Sequence, residues 1–219
     1  TEDLAILRWL RNMTVVSPGE YWEVAQATRA LIDHPGPAYL RLDKSAAPPS
    51  HQPGERFQLG TARMIRDGFD LTLVATGGIL EEAVRAADLL EGFGMSCRVL
   101  SIHTVKPLDT GALSAAARQT GGMVVIEEHA VDGGLGGAVA ENLLELGTPP
   151  AIFLRIGLRS CFSSAVGSQH YLRRVYGLDA QAIVGAVVSR CRGSRETETV
   201  EASLSLLSKT NLGSLVPAA

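Results

Sequence analysis

The chain has 219 residues, 46% hydrophobic and 20% charged, a balance that fits an α/β globular protein of one large domain or one and a half ordinary ones. A net charge of −3, sparse aromatics and no basic run argue against a nucleic-acid surface, although one local cation suffices for a small anionic substrate. No apolar run approaches the roughly 20 residues that span a bilayer, the acidic start is unlike a secretory leader, and Cys97, Cys161 and Cys191 show no CxxC or CxxH spacing, so free thiols in a reducing cytoplasm are expected.

A helix is predicted over residues 3–13, where Leu4, Leu7, Leu10 and Met13 recur at steps of three. Because this pattern starts almost at once and without a Met, the chain reads as one that begins mid-fold. Thr14-Val15-Val16 is β-prone. Ser17-Pro18-Gly19-Glu20 is a strong helix start, with Ser17 as N-cap, Pro18 at the first helical position and Glu20 closing a capping box. That helix should reach Ile32, with Tyr21, Val24, Ala25, Thr28 and Leu31 on one face. His34-Pro35-Gly36-Pro37 stops it, and Ala38 to Leu42 reads as a strand. Residues 45–55 carry three prolines and little to bury, the signature of an interdomain linker.

From residue 56 strands and helices alternate. A β-prone stretch over 56–65 precedes strand 71–75. Thr76-Gly77-Gly78 turns into helix 79–91, with Leu80, Val84, Ala87 and Leu90 inward. Strand 97–102, a loop over 103–109, helix 110–119, strand 123–127, a glycine-rich loop, helix 138–147 and strand 152–156 follow. Helices near 167–176 and 179–191 close the block. This order implies a mostly parallel sheet with helices on both faces. From Gly193 the pattern decays into a Ser-, Thr- and Glu-rich stretch expected to be a mobile tail.

Several motifs sit where open α/β sheets place their clefts. Thr76-Gly77-Gly78 occupies the pyrophosphate position of a Rossmann fold, but the full G-x-G-x-x-G is absent and Glu81 and Glu82 would repel a phosphate; a structural turn is favoured. His103 and Lys106 leave a strand end, where they could serve a substrate or an interface. Equally, Pro107 could fix a turn and Asp109 cap the next helix. Glu127-Glu128-His129 ends another strand just before Gly133-Gly134-Leu135-Gly136-Gly137. A metal site there would need more ligands than the neighbourhood supplies, so groups that order loops are favoured over chemistry. Arg41 and Lys44 close an earlier strand. Alternation sends them to different sides, so at most one faces a given pocket, unless they are simply a solvated pair around Asp43. Gly167-Ser168 opens a helix that could bind an anion, although such a Ser more often simply caps.

Taken together, "HPGPAYLRLDK", "LTLVATGGILEEAVRAADLLEGFGMSCRVLSIHTVKPLDTGAL", "VVIEEHAVDGGLGGAVAENL" and "GSQHYLRRVYGLDAQAI" resemble, in order, the C-terminal part of transketolase-like, thiamine-diphosphate-dependent enzymes. The opening stretch "TEDLAILRWLRNMTVVSPGEYWEVAQAT" resembles the late part of that family's pyrimidine-binding domain. The likeness covers about residues 1–191 and is greatest to split bacterial transketolases. 1-Deoxy-D-xylulose-5-phosphate synthase and the β-subunits of 2-oxoacid dehydrogenase E1 share the architecture, but the His of "EEH" and the "IHTVKPLD" run favour the transketolase-like branch.

The resemblance implies a partial pyrimidine-binding domain over 1–44, a linker over 45–55, a transketolase C-terminal domain over 56–192 and a tail over 193–219. It implies a cytoplasmic transferase portion that moves a two-carbon ketol unit between sugar phosphates. The isolated chain is expected to be inactive, because thiamine diphosphate and a divalent metal such as Mg bind mainly on a pyrophosphate-binding domain or an N-terminal transketolase subunit outside this chain. A dimer or heterotetramer is expected, with no nucleic acid and no membrane. No catalytic, cofactor-binding or metal-binding residue carries over. Lys44 falls where relatives carry a phosphate-gripping arginine, with Arg41 as a candidate helper, and lysine lacks arginine's bidentate fork. His103, Lys106, Glu128 and His129 are read as structural or interface residues. The contrasting reading is a non-catalytic assembly or regulatory module with the same fold. A free nucleotide-binding Rossmann domain is disfavoured by the broken glycine pattern.

Overall fold

The computed structural model describes residues 2–44, 50–159 and 164–192. Residues 45–49 of the expected linker, Cys161 and the expected tail lie outside the described residues. In chain order the elements are helix α1 (Asp3–Trp9), strand β1 (Thr14–Val16), helix α2 (Tyr21–Ile32) and strands β2 (Ala38–Leu40), β3 (Arg63–Arg66) and β4 (Leu71–Thr76). A 3-10 turn (Gly77–Ile79) leads into α3 (Leu80–Gly92), followed by β5 (Cys97–Ser101), β6 (Thr104–Lys106), α4 (Thr110–Gln119), β7 (Met123–Ala130), α5 (Leu135–Glu145), β8 (Phe153–Leu158), α6 (Gln169–Val175) and α7 (Ala180–Arg192).

Five strands form one sheet in the order β3-β5-β4-β7-β8. The pairs β5–β4, β4–β7 and β7–β8 are parallel, and β3 runs antiparallel on the β5 edge. Period-two alternation divides the strand side chains between two cores. Leu71, Leu73 and Ala75 of β4 and Val124 and Ile126 of β7 meet α3 and α7 on one face. Val74, Met123 and Val125 meet α1, α4 and α5 on the other. Helices therefore cover both faces. Helix α3 is held by Leu80, Ala83, Ala87 and Leu90, all buried, at the spacing of one helical face.

A second sheet, β2-β1-β6, joins the first 44 residues to the rest. β1 pairs parallel with β2 and antiparallel with β6. The loop expected over 103–109 contains a strand instead, Thr104–Lys106. Thr-Val-Lys has the β-branched character for it, but its partner lies some ninety residues earlier and leaves no local signal.

Other boundaries shift for physical reasons. Helix α1 ends at Trp9 rather than near Met13, because Lys106 Nζ donates to the carbonyls of Arg8 (2.9 Å) and Leu10 (2.6 Å) and closes the helix end. Helix α2 starts at Tyr21, not Pro18. Ser17 makes no capping bond, and the Gly19 amide donates to Glu23 Oε2 at 2.6 Å. On α2 the buried positions are Glu23 and Ala27, while Tyr21, Ala25 and Thr28 are exposed. β7 runs on to Ala130 and α5 begins at Leu135, three residues earlier than expected.

Candidate functional site

Several of the polar side chains singled out in the sequence gather where the C-terminal ends of β4 and β7 meet the exit of β2. At the end of β7, Glu127 is fully buried and turns back onto the start of α5. Its Oε2 accepts the Leu135 amide at 2.7 Å and its Oε1 the Gly136 amide at 2.9 Å. A Cβ on Gly134 would overlap Glu127 Oε2, so a glycine is required for this approach. Burial pushes the Glu127 carboxyl up to about 7, against the pull of the two amides, Arg155 and Arg8.

Glu128 faces the other way. Its Oε2 accepts from Arg173 Nε and Nη2 (3.1 and 2.9 Å) and from Gln169 Nε2 (3.0 Å). The buried His129 ring donates from Nδ1 to the Ala130 carbonyl at 2.7 Å, which leaves Nε2 3.9 Å from Asp3 Oδ1. Burial holds its pKa below the usual imidazole range.

From β2, Arg41 Nε pairs with Asp3 Oδ2 at 3.0 Å and its Nη2 donates to the Glu128 carbonyl at 3.1 Å. Burial opposes the ionised Asp3 carboxyl, but Arg41 and the Tyr39 hydroxyl outweigh it and hold its pKa low. Asp43 Oδ2 accepts the Gly78 amide at 2.6 Å, and the Gly77 amide donates to the Ser17 carbonyl at 2.9 Å. Gly77 has φ of +71°, the left-handed conformation that favours glycine. Lys44, next in line, is exposed.

His103 and Lys106 lie elsewhere. Lys106 closes α1, as described. His103 is buried against the Phe57 ring at 4.2 Å between centroids, with Nδ1 2.9 Å from Thr104 Oγ1. Burial and then nearby Arg63 depress its pKa to about 4. Asp109 caps α4 through the Ala112 amide at 2.9 Å, and Ser168 caps α6 through the Tyr171 amide at 3.2 Å.

Sequence reading missed three of these groups: Glu127 as a helix cap, Asp43 as a partner of the glycine turn, and Arg63. Arg63 is buried, bonds Glu20 and Glu23 of the first block at 2.7 and 2.6 Å and Glu55 at 2.6 Å, and stacks over Trp22. Nothing in the local sequence signals this, because Glu20 and Glu23 lie about forty residues earlier in the chain.

The two glycine-rich helix starts bear on whether a diphosphate fits here. Each already takes a carboxylate of the chain itself, Asp43 at Gly78 and Glu127 at α5, and a second anion would be repelled from both. Among the described residues no group of three or more His, Cys, Asp or Glu is arranged to hold a metal ion. The described residues therefore do not fit thiamine diphosphate and its metal as their own resident group.

Residues 60–183, more than half of the chain, match the family model described as transketolase, C-terminal domain. The chain belongs to the transketolase family. This transketolase-family chain is 40% identical over 185 residues to the 6-deoxy-6-sulfo-D-fructose transketolase subunit SqwH of Clostridium sp. (strain MSTE9), covering 84% of itself and 56% of that relative. It is 35% identical over 182 residues to a subunit of the apulose-4-phosphate transketolase of Phocaeicola vulgatus, covering 83% of itself and 57% of that protein. It superimposes with a TM-score of 0.76 and 38% identity on a solved split gene transketolase described as an inactive beta4 tetramer, over 86% of this chain and 61% of the other. The chain thus spans a little over half the length of these two curated relatives. Lys106, Glu127, Glu128 and His129 fall inside the matched transketolase C-terminal domain; Arg41 and Lys44 precede it.

Proposed function

We propose that this chain is the C-terminal portion of a transketolase-type enzyme that moves a two-carbon ketol unit between sugar phosphates, active only with a partner that carries the cofactor site. Residues 1–44 then form the late part of a pyrimidine-binding domain and residues 56–192 the C-terminal domain. The observation that carries this reading is the 40% identity to a transketolase subunit along 84% of the chain. Thiamine diphosphate and a divalent metal such as Mg are assigned mainly to the partner, which agrees with the two helix starts already filled by carboxylates.

In this reading Lys44 grips the sugar phosphate at the exit of β2. Arg41 frames the crevice with a guanidinium already shared between Asp3 and the Glu128 carbonyl. His103, Lys106, Glu128 and His129 order the contact between the blocks. Exposed Ile6 and Trp9 on α1 and Tyr21 and Ile32 on α2 offer apolar surface for an N-terminal subunit, within a dimer or heterotetramer.

The test is reconstitution: the purified chain, a pyrophosphate-domain partner and their mixture are assayed for ketol transfer with thiamine diphosphate and Mg. Activity is expected only in the mixture. Turnover by the chain alone would sink the division of labour. A stable complex without turnover would favour the non-catalytic module.

A further inference from the structure

The segment Arg41–Lys44 lies beyond the end of β2, and its last ladder-like bond is the Arg41 amide donating to the Val16 carbonyl at 2.8 Å. From there the side chains alternate. Arg41 and Asp43 turn toward the C-terminal domain, one to the Glu128 carbonyl and one to the Gly78 amide. Leu42 and Lys44 emerge exposed. The Gly77-Gly78 turn is shaped for this contact: a Cβ on Gly77 would stand 2.8 Å from Ser17 Oγ and 3.3 Å from Asp43 Oδ2. Docking of the two blocks does not need this bond, because β1–β6 pairing, Lys106 and Arg63 already join them. Among the described residues it is the anchor nearest to Lys44, whose own side chain is long, flexible and strongly hydrated.

We propose that Asp43 is a positioning residue for the proposed phosphate-gripping Lys44. Its carboxylate ties the backbone of residues 41–44 to the Gly77-Gly78 turn of the C-terminal domain and so sets where the Lys44 ammonium stands. The glycine turn that resembles a phosphate loop thereby acts on phosphate at second hand, by holding the carboxylate beside the cation. The inference rests on the proposed function, since it takes Lys44 as the group that meets a sugar phosphate.

The test uses the chain assembled with its N-terminal partner and two acceptors, D-glyceraldehyde 3-phosphate and D-glyceraldehyde. Asp43→Ala should raise KM for the phosphorylated acceptor about tenfold, the scale of one charge-assisted hydrogen bond. The effect should fall on that KM rather than on kcat, and KM for the unphosphorylated acceptor should stay put. Asp43→Asn, which keeps an acceptor oxygen, should fall between wild type and Asp43→Ala. In a Lys44→Ala background Asp43→Ala should add nothing, as expected of two residues acting through one contact. An equal rise for both acceptors, or an Asp43→Ala effect that survives Lys44→Ala, overturns the proposal.

If the wild-type pair shows no ketol transfer, the proposed function fails, and the clamp is still read directly in the full chain by amide hydrogen exchange. Exchange at Gly78 and at Arg41, whose amide donates to the Val16 carbonyl, should accelerate in Asp43→Ala. Unchanged protection overturns the clamp itself.

Discussion

Glu127 sits between two opposing influences. Burial disfavours its charge, while the amides at the start of α5 and nearby Arg155 and Arg8 favour it, and burial prevails, lifting the carboxyl from 4.5 to about 7. Since the folded chain holds this proton more tightly than the unfolded one, the group's stabilising contribution is complete below about pH 4.5. It is lost as pH rises through about 7, by on the order of 3 kcal/mol. His103 and His129 act in the opposite sense. Their folded pKa values are depressed, so their contribution stands above about pH 6.5 and is lost on acidification. Whole-protein pH profiles would mix these signs, and a comparison with Glu127→Gln separates them. The neutral amide does not titrate; its NH2 cannot accept the second backbone amide, a loss that lowers its stability by the same amount at every pH. Urea denaturation should therefore show Glu127→Gln gaining on wild type by roughly 2–3 kcal/mol between pH 5 and pH 8. A stability difference that does not change with pH would contradict this account. None of this was legible in "EEHAVDGGLGG". Sequence reading singled out Glu128 and His129 and passed over Glu127; the turn of the chain after Ala130 makes Glu127 the cap, while α6 and α1 bring Arg173 to Glu128 and Asp3 to His129.

At the scale of elements, α5 shows how glycines in one motif divide their work. Gly134 makes room for the Glu127 carboxylate, whereas a Cβ on Gly137 would meet only Glu141 Oε1, at 3.8 Å. Gly134→Ala should therefore cost about 2 kcal/mol or more by displacing a buried cap. Gly137→Ala should be neutral or stabilising by up to about 1 kcal/mol, because it removes a helix-interior glycine. Thermal denaturation of the two variants side by side measures the contrast, and equal effects would refute it. Helices with an uninterrupted face and a local cap could be read directly. α4 runs from Thr110 to Gln119, as its periodicity and Asp109 predict. The predicted start of α2 failed for a long-range reason: Glu20, expected to close a capping box, is drawn to Arg63 some forty residues away, and Glu23 joins it there. A guanidinium, being charged, offers a carboxylate a stronger hydrogen bond than a backbone amide does.

At the scale of the whole molecule, the two blocks are joined by buried contacts between residues distant in sequence. Arg63 joins α2 to β3 through two fully enclosed carboxylates. Arg63→Met should strand Glu20 and Glu23 without a counter-charge and cost about 3–5 kcal/mol. In urea this should appear as a lower midpoint, or as separation of one transition into two if the first block then melts alone. An unchanged midpoint and slope would mean that the pair contributes nothing to the joint. The exposed apolar residues on α1 and α2 stand on the same block, so the surface proposed to meet a partner is carried by the elements that Arg63 and Lys106 hold in place.

What the sequence by itself determined is the class of the fold and most of its parts. Parallel strands buried on both faces read as short apolar runs, and helices between them repeat at 3.6 residues, because burial acts on each element through its own periodicity. The ordered motifs likewise carried the family, which the matched residues 60–183 establish. What only the tertiary structure decided is which polar group meets which. β6 became a strand when β1 came alongside, Lys106 became a helix cap when α1 arrived, and Asp43 and Glu127 each took amides at glycine turns. Apolar side chains need only a common interior, whereas a hydrogen bond needs one partner at one distance and direction, and that partner is chosen by the fold.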